Sequence, residues 1–371
     1  MGDGSANMPR GRGAGRSRQA ALPVDRLPDR SPERAARGRW PETRHYAALD
    51  LGTNNCRLLI ARPQGKGFAV IDAFSRIVRL GEGLATTGQL SDAAIERTLA
   101  ALRICAEKLK RRNVTLARSV ATEACRQASN GTAFIERVYR ETGIALDIIT
   151  AEEEARLAVL GCHALLEPGD GPALVFDIGG GSTELVLVDS TGPIPRILDW
   201  HSAPWGVVSL TEACGGIEDD DRVARYAAMR AKVAESFAPF AGRLRKPEGT
   251  PRLLGTSGTV TTLASVHLGL AVYDRSAIDG LIVPAAAMRD VSQRIAAMTI
   301  KERAQVPCIG NERADLVVAG CAILETILDL WPAERLGIAD RGIREGILRR
   351  LMGGEKLVTG RIDPPSRSTG Q

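Results

Sequence analysis

Two stretches of this chain, 127 residues apart, are near copies: Tyr46-Ala-Ala-Leu-Asp-Leu-Gly-Thr-Asn-Asn-Cys-Arg-Leu-Leu-Ile-Ala61 and Ala173-Leu-Val-Phe-Asp-Ile-Gly-Gly-Gly-Ser-Thr-Glu-Leu-Val-Leu-Val188. Each has an apolar run, an Asp, a glycine-rich turn and a second apolar run. The runs have strand length and composition, so each copy reads as a β-hairpin whose turn exposes backbone N–H groups. Such a turn suits a phosphate. The candidate phosphate cradles are Gly52, Thr53 and Asn54 in the first copy, and Gly179, Gly180, Gly181, Ser182 and Thr183 in the second. Asp50 and Asp177 end the first strand of each copy, and carboxylate plus phosphate is a common way to hold Mg²⁺. One such hairpin is satisfied by an ordinary turn with an Asx-type Asp. Two aligned copies instead predict two facing lobes around one metal–phosphate cleft.

At 371 residues and 44% hydrophobic, the chain has room for two cores and the composition of a globular enzyme. No apolar run approaches the roughly 20 residues of a membrane span. No secretory h-region stands near the start, so a cytoplasmic protein with no membrane partner is expected. The seven cysteines are an odd number without paired spacing and lie mostly in apolar segments, which reads as reduced core residues. The four histidines form no ligand-like pair, which argues against zinc.

The formal charge of +5 does not imply nucleic-acid binding. Residues 1–45 hold ten Arg, no Lys and five acids, and the remainder has 39 basic and 39 acidic residues. The excess belongs to a Gly-, Pro- and Arg-rich stretch without apolar periodicity, so residues 1–44 are expected to be a disordered tail, as are 353–371. The first tail reads as a solvated extension or a mis-assigned translation start; a sharper reading is attraction of a polyanionic partner. No specific nucleic acid is expected.

Between the tails, patterning predicts strands over 68–80, 114–121 and 145–149 and helices over 91–112, 132–142 and 151–162, with Ser91 as an N-cap and Gly143 as a terminator. With the first hairpin these make lobe one, residues 45–166, and a Glu-Pro-Gly-Asp-Gly-Pro run at 167–172 marks the boundary. Lobe two, residues 167–352, repeats the hairpin. It adds helices over 219–243, 285–298, 311–330 and 341–352, and strands at 252–254 and 336–339. The fold class is α/β: two duplicated lobes of mixed sheets flanked by helices, with ligands at strand ends facing the crevice.

In Ile148-Ile-Thr-Ala-Glu-Glu-Glu-Ala-Arg-Leu157, Thr150 and Glu153 have capping-box spacing, which gives Glu153 a structural task. Glu154 has none from that source and points about 100° further round the helix, toward the cleft. All three glutamates also suit the helix N-terminal dipole, and for Glu152 that explanation is sufficient. Arg126 follows a strand and offers a forked contact to phosphate, although a plain surface Arg fits as well. Gly255-Thr-Ser-Gly-Thr259 opens a helix, and Gly255, Ser257 and Gly258 make a third candidate anion site; small-residue turns before helices are nevertheless common.

Together these residues resemble the exopolyphosphatase and guanosine pentaphosphate phosphohydrolase family, a branch of the sugar kinase, actin and heat-shock ATPase superfamily. The resemblance covers roughly residues 45–352. Asp50-Leu-Gly-Thr-Asn-Asn is similar to that family's first phosphate motif, Asp177-Ile-Gly-Gly-Gly-Ser-Thr-Glu184 to its second, and Glu153-Glu-Ala-Arg156 to its catalytic helix signature. The resemblance implies ribonuclease H-like, actin-like ATPase lobes, with Glu154 as the water-activating base. It implies Asp177 and Glu184 with the Gly179 backbone around Mg²⁺ (or Mn²⁺), and Arg126 on phosphate. Thr53 stands where Ser is commoner and Ala151-Glu152 where Gly-Asn or Gly-Glu is commoner, so only the backbone freedom at Ala151 is in question. The chain looks like the short two-domain form, and a homodimer through lobe two is implied, with weak support from the apolar stretch Val317–Leu330.

The expected reaction is hydrolytic release of the terminal phosphate of inorganic polyphosphate. Guanosine pentaphosphate is the nearest rival substrate; only 4% of residues are aromatic and none cluster as a guanine platform. A kinase of the superfamily would need an adenosine pocket and an acceptor-activating Asp, neither of them evident. An actin-like filament or nucleotide sensor would keep the hairpins without needing Glu154.

Overall fold

The computed structural model describes residues 44–353 except 66, 170, 193–194, 216–220 and 245–250. The tails expected over 1–44 and 353–371 lie outside the described residues, apart from Arg44 and Gly353. All described residues belong to one compact unit.

The first sheet contains β1 (His45–Leu51), β2 (Asn55–Gln64), β3 (Gly67–Ile77), β4 (Val114–Ala121) and β5 (Leu146–Ile148), in the order β3-β2-β1-β4-β5. The second contains β6 (Pro172–Ile178), β7 (Thr183–Asp189), β8 (Arg196–Ala203), β9 (Arg252–Thr256), β10 (Ile282–Pro284) and β11 (Arg335–Ala339), in the order β8-β7-β6-β9-β11-β10. Strand for strand the second repeats the first and adds the antiparallel edge β10. In each sheet an antiparallel hairpin is extended by parallel strands, so the sheets are mixed. The central strands β1 and β6 are apolar and buried nearly throughout, as strands covered on both faces must be.

Elements without clear periodicity escaped the sequence reading. β8, Arg-Ile-Leu-Asp-Trp-His-Ser-Ala, is half-buried along nearly its whole length and shows no alternation. Helix Val207–Ala213 and β10 are equally short and unpatterned. By contrast helix Asp92–Arg111 starts where predicted, because Ser91 Oγ accepts the Ala94 N–H at 3.3 Å, a cap that contributes about 1 kcal/mol. Gly143 at φ 73° ends helix Gly131–Thr142.

Helices Ala151–Cys162 and Ile343–Gly353 follow β5 and β11, so they are counterparts, and they pack against each other. A Cβ on Gly161 would run into the Gly342 carbonyl and one on Gly346 into the Leu157 carbonyl, so the crossing demands bare glycines. Ile343, Ile347 and Leu348 of the closing helix pack with Tyr46, Ala48 and Leu59 of the first sheet. Ala155, Val159 and Cys162 of the other helix pack with Val175, Val186 and Leu254 of the second. The closing helix, expected to belong wholly to residues 167–352, is therefore seated on the first sheet.

The helix Val317–Leu330 is core. Its residues from Ala319 to Leu328 are buried in the main cluster of the second half, which removes the apolar face that had supported a dimer. All seven cysteines are free, five of them buried. Among the described residues no helix is long and apolar enough to cross a membrane.

Candidate active site

The two glycine turns are closed by the same bond. The Gly52 N–H donates to the Asn55 carbonyl and the Gly179 N–H to the Ser182 carbonyl, both at 2.9 Å. The Asn54 carbonyl accepts from Val78 and Arg79, and the Gly180 carbonyl from Val208 and Ser209. With the carbonyls held this way, the N–H groups of Thr53, Asn54, Gly180 and Gly181 have no protein acceptor among the described residues. The turns face each other: a Cβ on Gly180 would stand 3.0 Å from both the Asn54 nitrogen and the Thr53 Cβ. The Thr53 Oγ1 and Asn54 Oδ1 atoms are buried without a partner, as groups awaiting a ligand would be.

A single cavity joins these turns to most of the expected site: Asp50, Gly52, Thr53, Asn54, Glu154, Asp177, Gly179, Gly180, Gly181, Ser182, Glu184, Ser257 and Gly258 all line it. Asp50 faces Arg57 in register across the first hairpin, and Asp177 faces Glu184 across the second. Burial, and then the Asp50 charge, pushes Asp177 up to about 6; burial and Asp177 push Glu184 up to about 7, against hydrogen bonds from Ser182 Oγ (2.8 Å) and Ser202 Oγ (2.9 Å). Burial also raises Asp50, opposed by Arg57 and Arg344.

Among the described residues no three His, Cys, Asp or Glu side chains converge closely enough to enclose a metal ion. Buried hard oxygen donors with too little compensating charge nevertheless fit Mg²⁺ of the kind held by one or two carboxylates, its own waters and substrate phosphate.

Glu154 lies in the first turn of helix Ala151–Cys162, where Thr150 Oγ1 accepts the Glu153 N–H at 3.2 Å. Only that half of the expected capping box forms, because the Glu153 carboxylate is drawn to Arg118 (2.8 Å) and Arg350 (3.0 Å). Glu152 pairs with Arg156 at 2.6 Å. Glu154 is buried, at 7% exposure, and its Oε2 accepts from Arg126 Nη1 at 2.8 Å. Burial, and then the Glu184 charge, holds its carboxyl well above the ordinary range, with Arg126 opposing. This arrangement orients a carboxylate of raised basicity toward the cavity.

Three expected contacts are not where the sequence reading put them. Arg126 does not line the cavity: Glu123 and Glu154 take its guanidinium, with the Ile149 carbonyl at 2.8 Å, so its fork is engaged by carboxylates. Burial opposes its charge, but the two carboxylates more than offset this and raise its pKa. Thr183 spends its hydroxyl on the Trp205 carbonyl at 2.7 Å. Gly255 lies within β9, where a Cβ would meet the Phe176 ring at 2.5 Å, so it is glycine for packing. The cavity-lining part of that motif begins one residue later.

Four cations that no motif in the sequence singles out also face this space. Arg57, Arg313, Arg341 and Arg344 all line it. Arg341 is paired with Asp279 at 2.7 Å and Arg313 donates to Thr262 Oγ1 at 2.6 Å. Arg57 and Arg344 make no ion pair among the described residues, and burial, the larger influence, pulls Arg344 below the usual guanidinium range. Ser257 stands at φ 109°, ψ 170°, a region almost reserved for glycine, with its buried Oγ unpartnered. Arg57 had a signal in the sequence: the duplication aligns it with Glu184.

The chain is 34% identical over 321 residues to Exopolyphosphatase 2 of Mycobacterium tuberculosis, covering 83% of this chain and 98% of that protein. It resembles the crystal structure of an exopolyphosphatase from Cytophaga hutchinsonii (TM-score 0.76, 25% identity, 85% of this chain and 99% of that one). It also resembles the Aquifex aeolicus member of the Ppx/GppA family (TM-score 0.69, 28% identity, 84% and 99%). The Ppx/GppA phosphatase family pattern matches residues 59–355, and the chain belongs to that family.

Proposed function

We propose that this protein is an exopolyphosphatase, which releases orthophosphate from the end of inorganic polyphosphate by attack of water. The observation that carries this reading is Glu154: a buried carboxylate, oriented by Arg126, in the same cavity as two facing N–H turns. A condensed phosphate gives up its terminal group when charge is neutralised and water is positioned, with little covalent help. Asp177 and Glu184, with Asp50 close by, would hold Mg²⁺ (or Mn²⁺) through one or two carboxylates, water and substrate phosphate, and the ion when bound supplies positive charge to the phosphate oxygens. The N–H groups of the turns receive the terminal phosphate, and Arg57, Arg313 and Arg344 hold the remainder of the anion. Glu154 takes the proton of the attacking water through Oε1, which has no protein partner among the described residues. Burial raises its pKa and so makes the carboxylate a stronger base than an exposed one. Arg126 acts as the positioning residue of that base.

A homodimer and a cytoplasmic setting complete the proposal; the dimer would use a face other than helix Val317–Leu330. Phosphate release from long-chain polyphosphate and from guanosine pentaphosphate, at equal concentration with Mg²⁺, tests the substrate. Faster release from polyphosphate is expected, and faster release from the nucleotide would reverse the assignment.

A further inference from the structure

The two halves are tied by a fork that lies beside the cavity and takes no part in the chemistry above. Arg79, just after β3, donates from Nη1 to Asp315 Oδ2 at 2.7 Å and from Nη2 to Asp315 Oδ1 at 3.0 Å and the Glu312 carbonyl at 3.2 Å. Asp315 belongs to the segment leading into helix Val317–Leu330, two residues beyond the cavity-lining Arg313. On its own side, the Arg79 N–H donates to the Asn54 carbonyl of the first turn at 3.1 Å. Its backbone is left-handed at φ 47°, and Arg97 holds it by donating to the Val78 and Arg79 carbonyls. A second tie lies close by in sequence: the Gly83 N–H donates to Glu212 Oε1 at 2.8 Å, again from one half to the other.

We infer that Arg79 is a positioning residue that latches the cleft, setting the first phosphate turn against Arg313 by its paired contact with Asp315. The inference rests on the polyphosphate reading only for the choice of ligand. A planar guanidinium meeting both oxygens of a half-buried carboxylate fixes distance and angle together, which a lysine point contact does not. The ligand cradle is complete only when the turns face each other. Loss of the latch therefore lowers the populated fraction of the competent form, and apparent affinity falls by that fraction while the saturated enzyme recloses.

The test uses Arg79→Ala, Asp315→Ala, Arg79→Lys and the exchanged pair Arg79→Asp with Asp315→Arg, each first checked for parental circular dichroism. Each alanine variant is expected to raise KM for polyphosphate about tenfold with kcat within about twofold. Arg79→Lys should recover part of the loss, and the exchanged pair more than either single change. Small-angle scattering of substrate-free Arg79→Ala should show a larger radius of gyration that returns to the parental value with polyphosphate. A fall in kcat at unchanged KM, additive losses in the exchanged pair, or an unchanged radius would overturn the latch. A parent that neither binds nor cleaves polyphosphate would defeat the substrate reading, while the substrate-free scattering comparison would still decide the latch.

Discussion

Arg57 and Glu184 occupy the same position in the two halves of the molecule. Each stands on the second strand of its hairpin, directly across from the aspartate that ends the first: Asp50 with Arg57, Asp177 with Glu184. One half sets a cation across from its carboxylate and the other sets a second anion there. This difference polarises the cleft, making one side richer in positive charge and the other in negative charge. Arg57→Ala is expected to raise KM for polyphosphate by about 10–100-fold, the size of a lost charged contact of roughly 1.5–3 kcal/mol. Glu184→Gln should instead lower turnover and weaken its Mg²⁺ dependence. Titrating Mg²⁺ against phosphate release for both variants separates the two effects; identical Mg²⁺ curves would contradict the polarised cleft.

The raised carboxylates link stability to pH. Asp177 and Glu184 stand at about 6 and about 7 in the folded chain, against ordinary values of 3.8 and 4.5. Between these limits the folded chain keeps protons that the unfolded chain has released. Their contribution to stability is thus full below about pH 4 and lost as pH rises through about 6 to 7. Asp177→Asn should raise the metal-free unfolding midpoint at pH 8, where the carboxylate's ionisation costs on the order of 3 kcal/mol. Mg²⁺ should raise the parental midpoint more at pH 8 than at pH 5. Thermal scans at the two pH values check both, and a lower midpoint for Asp177→Asn at pH 8 would count against them.

Ser257 stands where glycine would be relaxed. A backbone at φ 109° in a non-glycine residue costs on the order of 1–3 kcal/mol, and the hydroxyl it presents to the cavity has no protein partner. Ser257→Gly should therefore be more stable than the parent and hydrolyse polyphosphate more slowly, while Ser257→Ala should lose activity without gaining stability. Calorimetry and phosphate release on the two variants distinguish strain from simple packing. A glycine variant with full activity would show that the hydroxyl does nothing.

Much of this was legible in the sequence because the duplication is local in character: an apolar run, an Asp and a glycine turn are read within sixteen residues. Those signals placed both hairpins and their aspartates, and the strand-then-helix pattern carried Glu154 to the cavity. What was not legible depends on contacts made over long sequence separations. Arg126 reads as a free fork until Glu154, 28 residues on, takes its Nη1. Gly255 reads as part of a phosphate turn until the Phe176 ring fills the space beside it. Arg344, in the first turn of the closing helix, and Arg313, in the turn before helix Val317–Leu330, are single cations in sequence, and only the closure of two sheets gives them a common cavity. The capping box at Thr150 formed by half because Arg118 and Arg350 compete for Glu153, and neither is near it in sequence.

The central claim is that Glu154 activates the water, and the most direct measurement is phosphate release from polyphosphate by Glu154→Gln, with binding of the same polyphosphate followed by calorimetry. The account predicts a loss of about 10²–10⁴ in turnover with binding close to that of the parent. Turnover near the parental rate, or binding lost together with it, would contradict the assignment.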